Sequence, residues 1–255
     1  MRQLLTPRRA RILVACATPL LLVGSLAAAL VLVRPPARHA HAAPMTGLQV
    51  RGNQLVTGNG QPVRFLGMNR SGTEYACIQG WGIFDGPSDA ASVAAMAAWH
   101  INSVRVLINE DCWLGINGVA AQYGGAAYQN AIVNYVQLLH QYGLYAELSL
   151  IWTAPGATQA TYQREMPDTD HSIAMWQSVA TIFKSDPNVV FGIFGEPHNV
   201  GWACWLNGGA ACASDGLTYP VAGMQSLVTA IRDTGATQPI AVPGIDWANN
   251  LTQWL

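Results

Sequence analysis

Five short β-rich runs recur along the chain at a near-constant interval, with helical segments between them. The runs are Val63–Asn69, Ser103–Asn109, Leu144–Ile151, Val189–Gly195 and Pro239–Pro243, and their first residues lie 40, 41, 45 and 50 positions apart. The intervening helix candidates are Ala90–His100, Ala126–Tyr142, Ile173–Ser185 and Val221–Thr234. In the second, Ala131, Ile132, Tyr135, Leu138 and Leu139 recur at helical spacing, and Gly143 marks the stop. Nearly continuous apolar strands separated by amphipathic helices imply a parallel sheet covered by helices. Ahead of this pattern, Leu48 to Val63 alternates and turns at Gly58-Asn59-Gly60, which reads as a small β-hairpin.

Two architectures carry such a pattern, a doubly wound sheet and a (β/α)8 barrel. No Gly-x-Gly-x-x-Gly follows the first strand, so the dinucleotide-binding form of the first lacks its phosphate turn. Polar and aromatic residues collect instead where strands end, at Asn69-Arg70, Asn109-Glu110-Asp111, Trp152 and Glu196-Pro197-His198-Asn199. In a barrel that face carries the chemistry. The expected fold class is therefore α/β, of the (β/α)8 TIM-barrel type. At this rhythm eight strands need well over 300 residues, so the 255 present are expected to hold an incomplete barrel of about five βα units.

The chain divides into two regions. Residues 1–42 are read as an export signal with a linker, and residues 43–255 as the barrel domain. Met1 to Arg11 is Arg-rich, and Ile12 to Val33 then runs 22 residues without a charge. A basic stretch before an apolar run is a secretory signal, here long enough to serve also as a membrane anchor. Ala40-His41-Ala42 is an acceptable cleavage site, so cleavage and anchoring both stand. The expected location is extracellular, with any membrane contact made only through this segment. Six of the 13 basic residues precede residue 39, leaving seven against 14 acidic ones in the body. That acidic balance argues against a nucleic-acid partner.

Cys16 falls in the signal, which leaves Cys77, Cys112, Cys204 and Cys212, an even number for an oxidising compartment. Of three pairings, Cys204–Cys212 is favoured as a local staple and Cys77–Cys112 as a link between two loops. No Cys-x-x-Cys or His spacing supports a zinc site, so neither metal nor cofactor is expected.

Four segments then fall in order on successive strand ends: Gly67-Met-Asn-Arg-Ser-Gly72, Asn102-Ser-Val-Arg-Val-Leu-Ile-Asn109, Tyr142-Gly-Leu-Tyr-Ala-Glu-Leu-Ser-Leu-Ile-Trp152 and Gly195-Glu-Pro-His198. Together they resemble glycoside hydrolase family 5, the cellulase-like (β/α)8 barrels. The resemblance runs from about Leu48 to Leu255 and rests most on the Glu-Pro ending the fourth strand, then on Arg105.

It implies a retaining glycosidase acting on β-linked polysaccharide or oligosaccharide, with Glu196 as acid/base and Arg105 orienting a catalytic carboxylate. Read as a partner within the fold instead, Arg105 would pair with Glu110 or Glu147. Trp152, Trp202 and Trp205 are candidate platforms for sugar faces. Asn69, Glu110, His198 and Asn199 are further candidate substrate contacts, with His198 open between a cleft wall and a loop hydrogen bond. Glu74 is a candidate for the same face, whereas Trp247 and Trp254 are read as packing residues.

Three departures stand beside the matches. Gly195 replaces the asparagine that usually precedes the acid/base, and Ile151 stands where a histidine is usual. The family's nucleophilic Glu follows the seventh strand, so no residue of this chain is assigned to that role, and the chain is read as C-terminally truncated. The alternative is a non-catalytic exported protein, either a carbohydrate-binding remnant or a decayed barrel.

Overall fold

The computed structural model describes residues 45–254, all within the compact unit that spans Ala40–Leu255. The signal or anchor segment and its cleavage site lie outside the described residues. Among those described, no helix is long and apolar enough to cross a membrane.

Five strands form one parallel sheet: β3 (Gly67–Arg70), β4 (Ser103–Asn109), β5 (Tyr145–Trp152), β6 (Val189–Gly192) and β7 (Ile240–Ala241). Their spatial order is the order of the chain. A doubly wound sheet reverses order at a switch point. This one does not, so the barrel-type reading of the α/β pattern holds. Helices α1 (Ala90–Ala97), α3 (Ala126–Gln141), α4 (Ser172–Phe183) and α6 (Met224–Arg232) form the crossovers.

Alternation along each strand separates two faces. Val104, Val106 and Ile108 of β4 and Ala146, Leu148 and Leu150 of β5 are buried against the helices. There they join Ile132, Val136 and Leu139 of α3 and Met175, Trp176 and Val179 of α4. The opposite face is polar: Arg105 pairs in register with Glu147, and Ser149 with Gly192. Helix α3 ends where Tyr142 leaves helical geometry and Gly143 takes a positive φ of 75°.

The leading hairpin turns earlier than the sequence suggests. β1 (Leu48–Arg51) pairs with β2 (Gln54–Thr57) across Gly52-Asn53. The Gly58-Asn59-Gly60 turn follows it and returns the chain as a single bridge, Val56 to Pro62. Leu48 packs with Tyr145 and Val190 in a small second core, which sets the hairpin against the N-terminal ends of β5 and β6.

Two disulfides are present. Cys77–Cys112 ties the loop after β3 to α2 (Glu110–Leu114), across a separation of 35 residues. Cys204–Cys212 joins α5 (Trp202–Asn207) to a 3-10 turn at Gly209–Asp215. Both are the pairings favoured from the sequence.

Candidate active site

Glu196 lies just past the carboxyl end of β6, and its side chain is exposed. With Arg105, Glu147, Gly195 and Ala248 it lines a cavity of about 370 Å3 on the polar face of the sheet. The carboxylate that Arg105 holds is Glu147, one of the two structural partners the sequence left open. Arg105 Nε donates to Glu147 Oε1 at 3.1 Å, and Nη2 donates to Ser149 Oγ at 2.7 Å. Burial raises the Glu147 acid, and the adjacent guanidinium opposes that shift. Glu147 also fixes its neighbour, because a side chain at residue 192 would put a Cβ 2.6 Å from Glu147 Oε1. A larger residue there would push the Glu147 carboxylate out of place.

The two departures from the family pattern meet in space. A Cβ on Gly195 would sit 2.7 Å from Ile151 Cδ1 and 2.9 Å from Gln163 Oε1. The room an asparagine would need is thus taken by Ile151 and by an amide from the β5–α4 loop. Gln163 Nε2 donates to the Glu196 carbonyl at 3.0 Å.

Several sequence candidates are relocated. His198 is buried; its Nδ1 lies 2.8 Å from the Glu196 carbonyl, and its ring stacks on Trp247 at 3.6 Å. The loop-bond reading of His198 therefore replaces the cleft wall. Trp247, expected to be packing, is 51% exposed and forms the surface of that stack. It sits in the turn Ile245–Ala248, where Asp246, Trp247 and Ala248 all have positive φ. Trp254, likewise expected to be packing, is 41% exposed.

Trp205 is corrected the other way. It is 7% exposed, its indole N–H donates to the Pro243 carbonyl at 2.8 Å, and Trp202 and Trp254 crowd its ring. It supports Trp202, which stays half-buried and open to contact. Trp152 lies 6.0 Å from Tyr75, which meets the exposed Trp81 edge-on. Sequence reasoning missed Tyr75 and Trp81, although Gly80-Trp81-Gly82 in a strand-end loop is a legible sign of a displayed aromatic. Asn69 is exposed at the end of β3 and lines a neighbouring cavity with Ser103, Arg105 and Glu147. Asn199 is exposed in a left-handed conformation.

Glu110 is the clearest correction. It does not line the cleft, because its side chain turns inward from the first residue of α2 and is fully buried. Oε1 accepts the Ala154 N–H at 2.5 Å, and Oε2 accepts the Ser172 hydroxyl at 2.6 Å. Glu74 is also buried, accepting from Ser71 and the Gly72 N–H within its own loop. Beside Glu110 lie Asp111, Asp168 and His171, and ligand atoms of Glu110, Asp111 and His171 fall within 4.8 Å of one another.

Burial raises the Glu110 acid well above the usual carboxylate range, and the charge of Asp168 adds to the rise. A native pKa above the unfolded value of about 4.3 means this site favours folding most at low pH. That contribution is complete below about pH 4.3 and is lost as pH rises through the native value. With chelator present, the thermal midpoint of the wild type should fall relative to that of Glu110→Gln between about pH 5 and 8. Parallel curves for the two proteins would rule this out.

Consecutive parallel strands in chain order, with an exposed glutamate just past the carboxyl end of β6, are the pattern of a β/α-barrel protein. The model of the Cellulase family (glycosyl hydrolase family 5) matches residues 56–254, and the chain belongs to that family. Endoglucanase EG-II of Hypocrea jecorina is 35% identical over 82 residues, covering 32% of this chain and 16% of that protein. A beta-glucanase from Saccharophagus degradans, solved with cellotetraose, superposes with a TM-score of 0.59 at 19% identity, covering 82% of this chain and 57% of that one. The endo-beta-1,4-glucanase Xac0029 from Xanthomonas axonopodis pv. citri gives 0.50 at 26% identity, covering 72% and 54%. The chain thus spans about half the length of these solved structures and a sixth of the curated relative.

Proposed function

We propose that the protein is an exported endo-acting hydrolase of β-linked glucan, working with retention, in which Glu196 is the acid/base. One observation carries this: an exposed Glu at the end of β6 shares a cavity with the Arg105–Glu147 pair, in a chain of this family. The named relatives are endoglucanases and a beta-glucanase crystallised with cellotetraose, which supports a β-glucan as substrate.

Cleaving the acetal needs a proton at the leaving oxygen and a second carboxylate about 5–5.5 Å away that attacks the ring carbon. Glu196 gives its proton to the departing sugar, then accepts one from the water that hydrolyses the glycosyl-enzyme. By the family pattern the second carboxylate follows the seventh strand, while the described residues contribute five to the sheet. Arg105 holds Glu147 in place in the cavity wall, and Trp152, Trp202 and Trp247 offer faces for sugar rings. Residues 43–255 form the barrel region behind an export segment. The test is turnover of cellopentaose by the product of the full coding region, comparing wild type with Glu196→Gln and reading the anomer first released. Equal rates, or inversion of the anomer, would overturn the proposal.

Gln163 takes over the place that Gly195 vacates: one amide N–H holds the Glu196 carbonyl, and its Oε1 lies 2.9 Å from where a Cβ on Gly195 would stand. Gln163→Ala should lower kcat about tenfold, the worth of the one hydrogen bond that fixes the backbone carrying the acid/base, with an unchanged thermal midpoint. A kcat equal to wild type would remove Gln163 from the site.

A second reading, a carbohydrate binder without turnover, is favoured by the loss of both polar side chains at 151 and 195. It retains glucan binding in wild type and Glu196→Gln alike, with hydrolysis by neither.

A further inference from the structure

Behind Trp152, away from the cavity, three buried acids meet one imidazole. Glu110, Asp111 and Asp168 are fully buried, and Glu110 and Asp168 face His171. His171 Nδ1 lies 4.0 Å from Glu110 Oε1 and 3.8 Å from Asp168 Oδ1, and it bonds the Ala154 carbonyl at 3.0 Å, a contact a metal would replace. Asp111 takes Asn117 Nδ2 at 3.0 Å and the Ala160 N–H at 2.8 Å. Asp168 Oδ1 accepts the His171 N–H at 2.8 Å, and among the described residues Asp168 Oδ2 is buried with no donor but a proton it can share with Glu110. The hydroxyl of Thr153, one residue before Ala154, is buried and unpartnered as well. Native interiors leave few polar atoms in this state, and each calls for an occupant.

The charge balance says which kind. Three carboxylates buried together cannot all ionise unless an opposing charge lies among them, because unpaired charge in a dry interior is costly. Carboxylate oxygens with one imidazole nitrogen suit a first-row divalent ion such as Zn2+ or Mn2+, whereas Ca2+ prefers oxygen alone.

We propose that Glu110, Asp111 and His171, with Asp168 Oδ2 completing the set, form a structural site for one divalent transition-metal ion. The ion clamps the N-termini of α2 and α4 to the loop that leaves Trp152. Protons compete with a metal for carboxylate and imidazole ligands, so affinity rises with pH. The competing occupant is a proton shared between Glu110 and Asp168.

The test uses the full exported protein, stripped with chelator and then titrated with Zn2+ or Mn2+. Expected are one bound equivalent by elemental analysis and, at about 100 times Kd, a thermal midpoint raised by roughly 5–10 °C. His171→Gln, at a side chain only partly buried, and Asp168→Asn should each abolish the shift. Co2+ added to the stripped wild type should develop visible d–d absorption that His171→Gln lacks, a readout independent of unfolding. No bound ion with unchanged midpoints would leave the shared proton as occupant and overturn the proposal. A metal-induced shift that survives in His171→Gln would overturn it too, by placing the ion elsewhere.

Discussion

Replacing Glu196 by Gln should lower glucan turnover by about 10²–10⁴-fold, the usual worth of a positioned general acid. The substitution keeps shape and volume and removes only the transferable proton. Among the described residues the exposed side chain makes no ion pair, so stability should be unchanged. Substrate binding should persist, because in the proposed function Trp152, Trp202 and Trp247 hold the sugar rings. A substrate whose leaving group needs no protonation, such as a dinitrophenyl glycoside, should recover much of the first-step rate in Glu196→Gln. That recovery separates an acid/base from a residue that merely shapes the cavity. A loss of equal size on both substrates would assign Glu196 a different role.

The second large effect concerns the Cys77–Cys112 bond. It closes a loop spanning 35 positions and joins the loop after β3 to α2, with both cysteines buried in the main core. On the chain-entropy view, opening such a loop costs about 4 kcal/mol. That is a large share of the 5–15 kcal/mol that holds a typical domain. The double variant Cys77→Ala/Cys112→Ala should therefore lose about 4 kcal/mol in denaturant unfolding, or fail to accumulate when exported. The Cys204–Cys212 bond spans 8 positions and should cost less when removed. A double variant within 1 kcal/mol of wild type would show that packing around Trp113 already fixes α2.

The parallel sheet was legible because its strands are apolar runs whose spacing repeats. Ser103–Asn109 and Tyr145–Trp152 differ by at most one residue from the segments read off the sequence. The first hairpin turn was not, because Gly52-Asn53 and Gly58-Asn59-Gly60 give equally good turn signals six residues apart. At the candidate site, Glu196 and Arg105 could be read from their strand-end positions. The burial of Glu110 could not: it is set by Ala154 and Ser172, which are 44 and 62 residues away in the chain. Trp205 and Trp247 exchanged roles for a similar reason. A tryptophan's exposure depends on what covers it, and Trp205 is covered by Pro243 and Trp254, brought back from beyond β7.

The turn carrying Trp247 holds three successive non-glycine residues in left-handed geometry, with φ of 54°, 60° and 63°. Each costs on the order of 1 kcal/mol, a cost glycine would avoid. Selection for stability alone would favour glycine at 246 or 248. In an evolving lineage, persistent side chains there would record selection for a turn that stays put, and surveying natural variants at 246 and 248 would show whether the seat of Trp247 over His198 is kept.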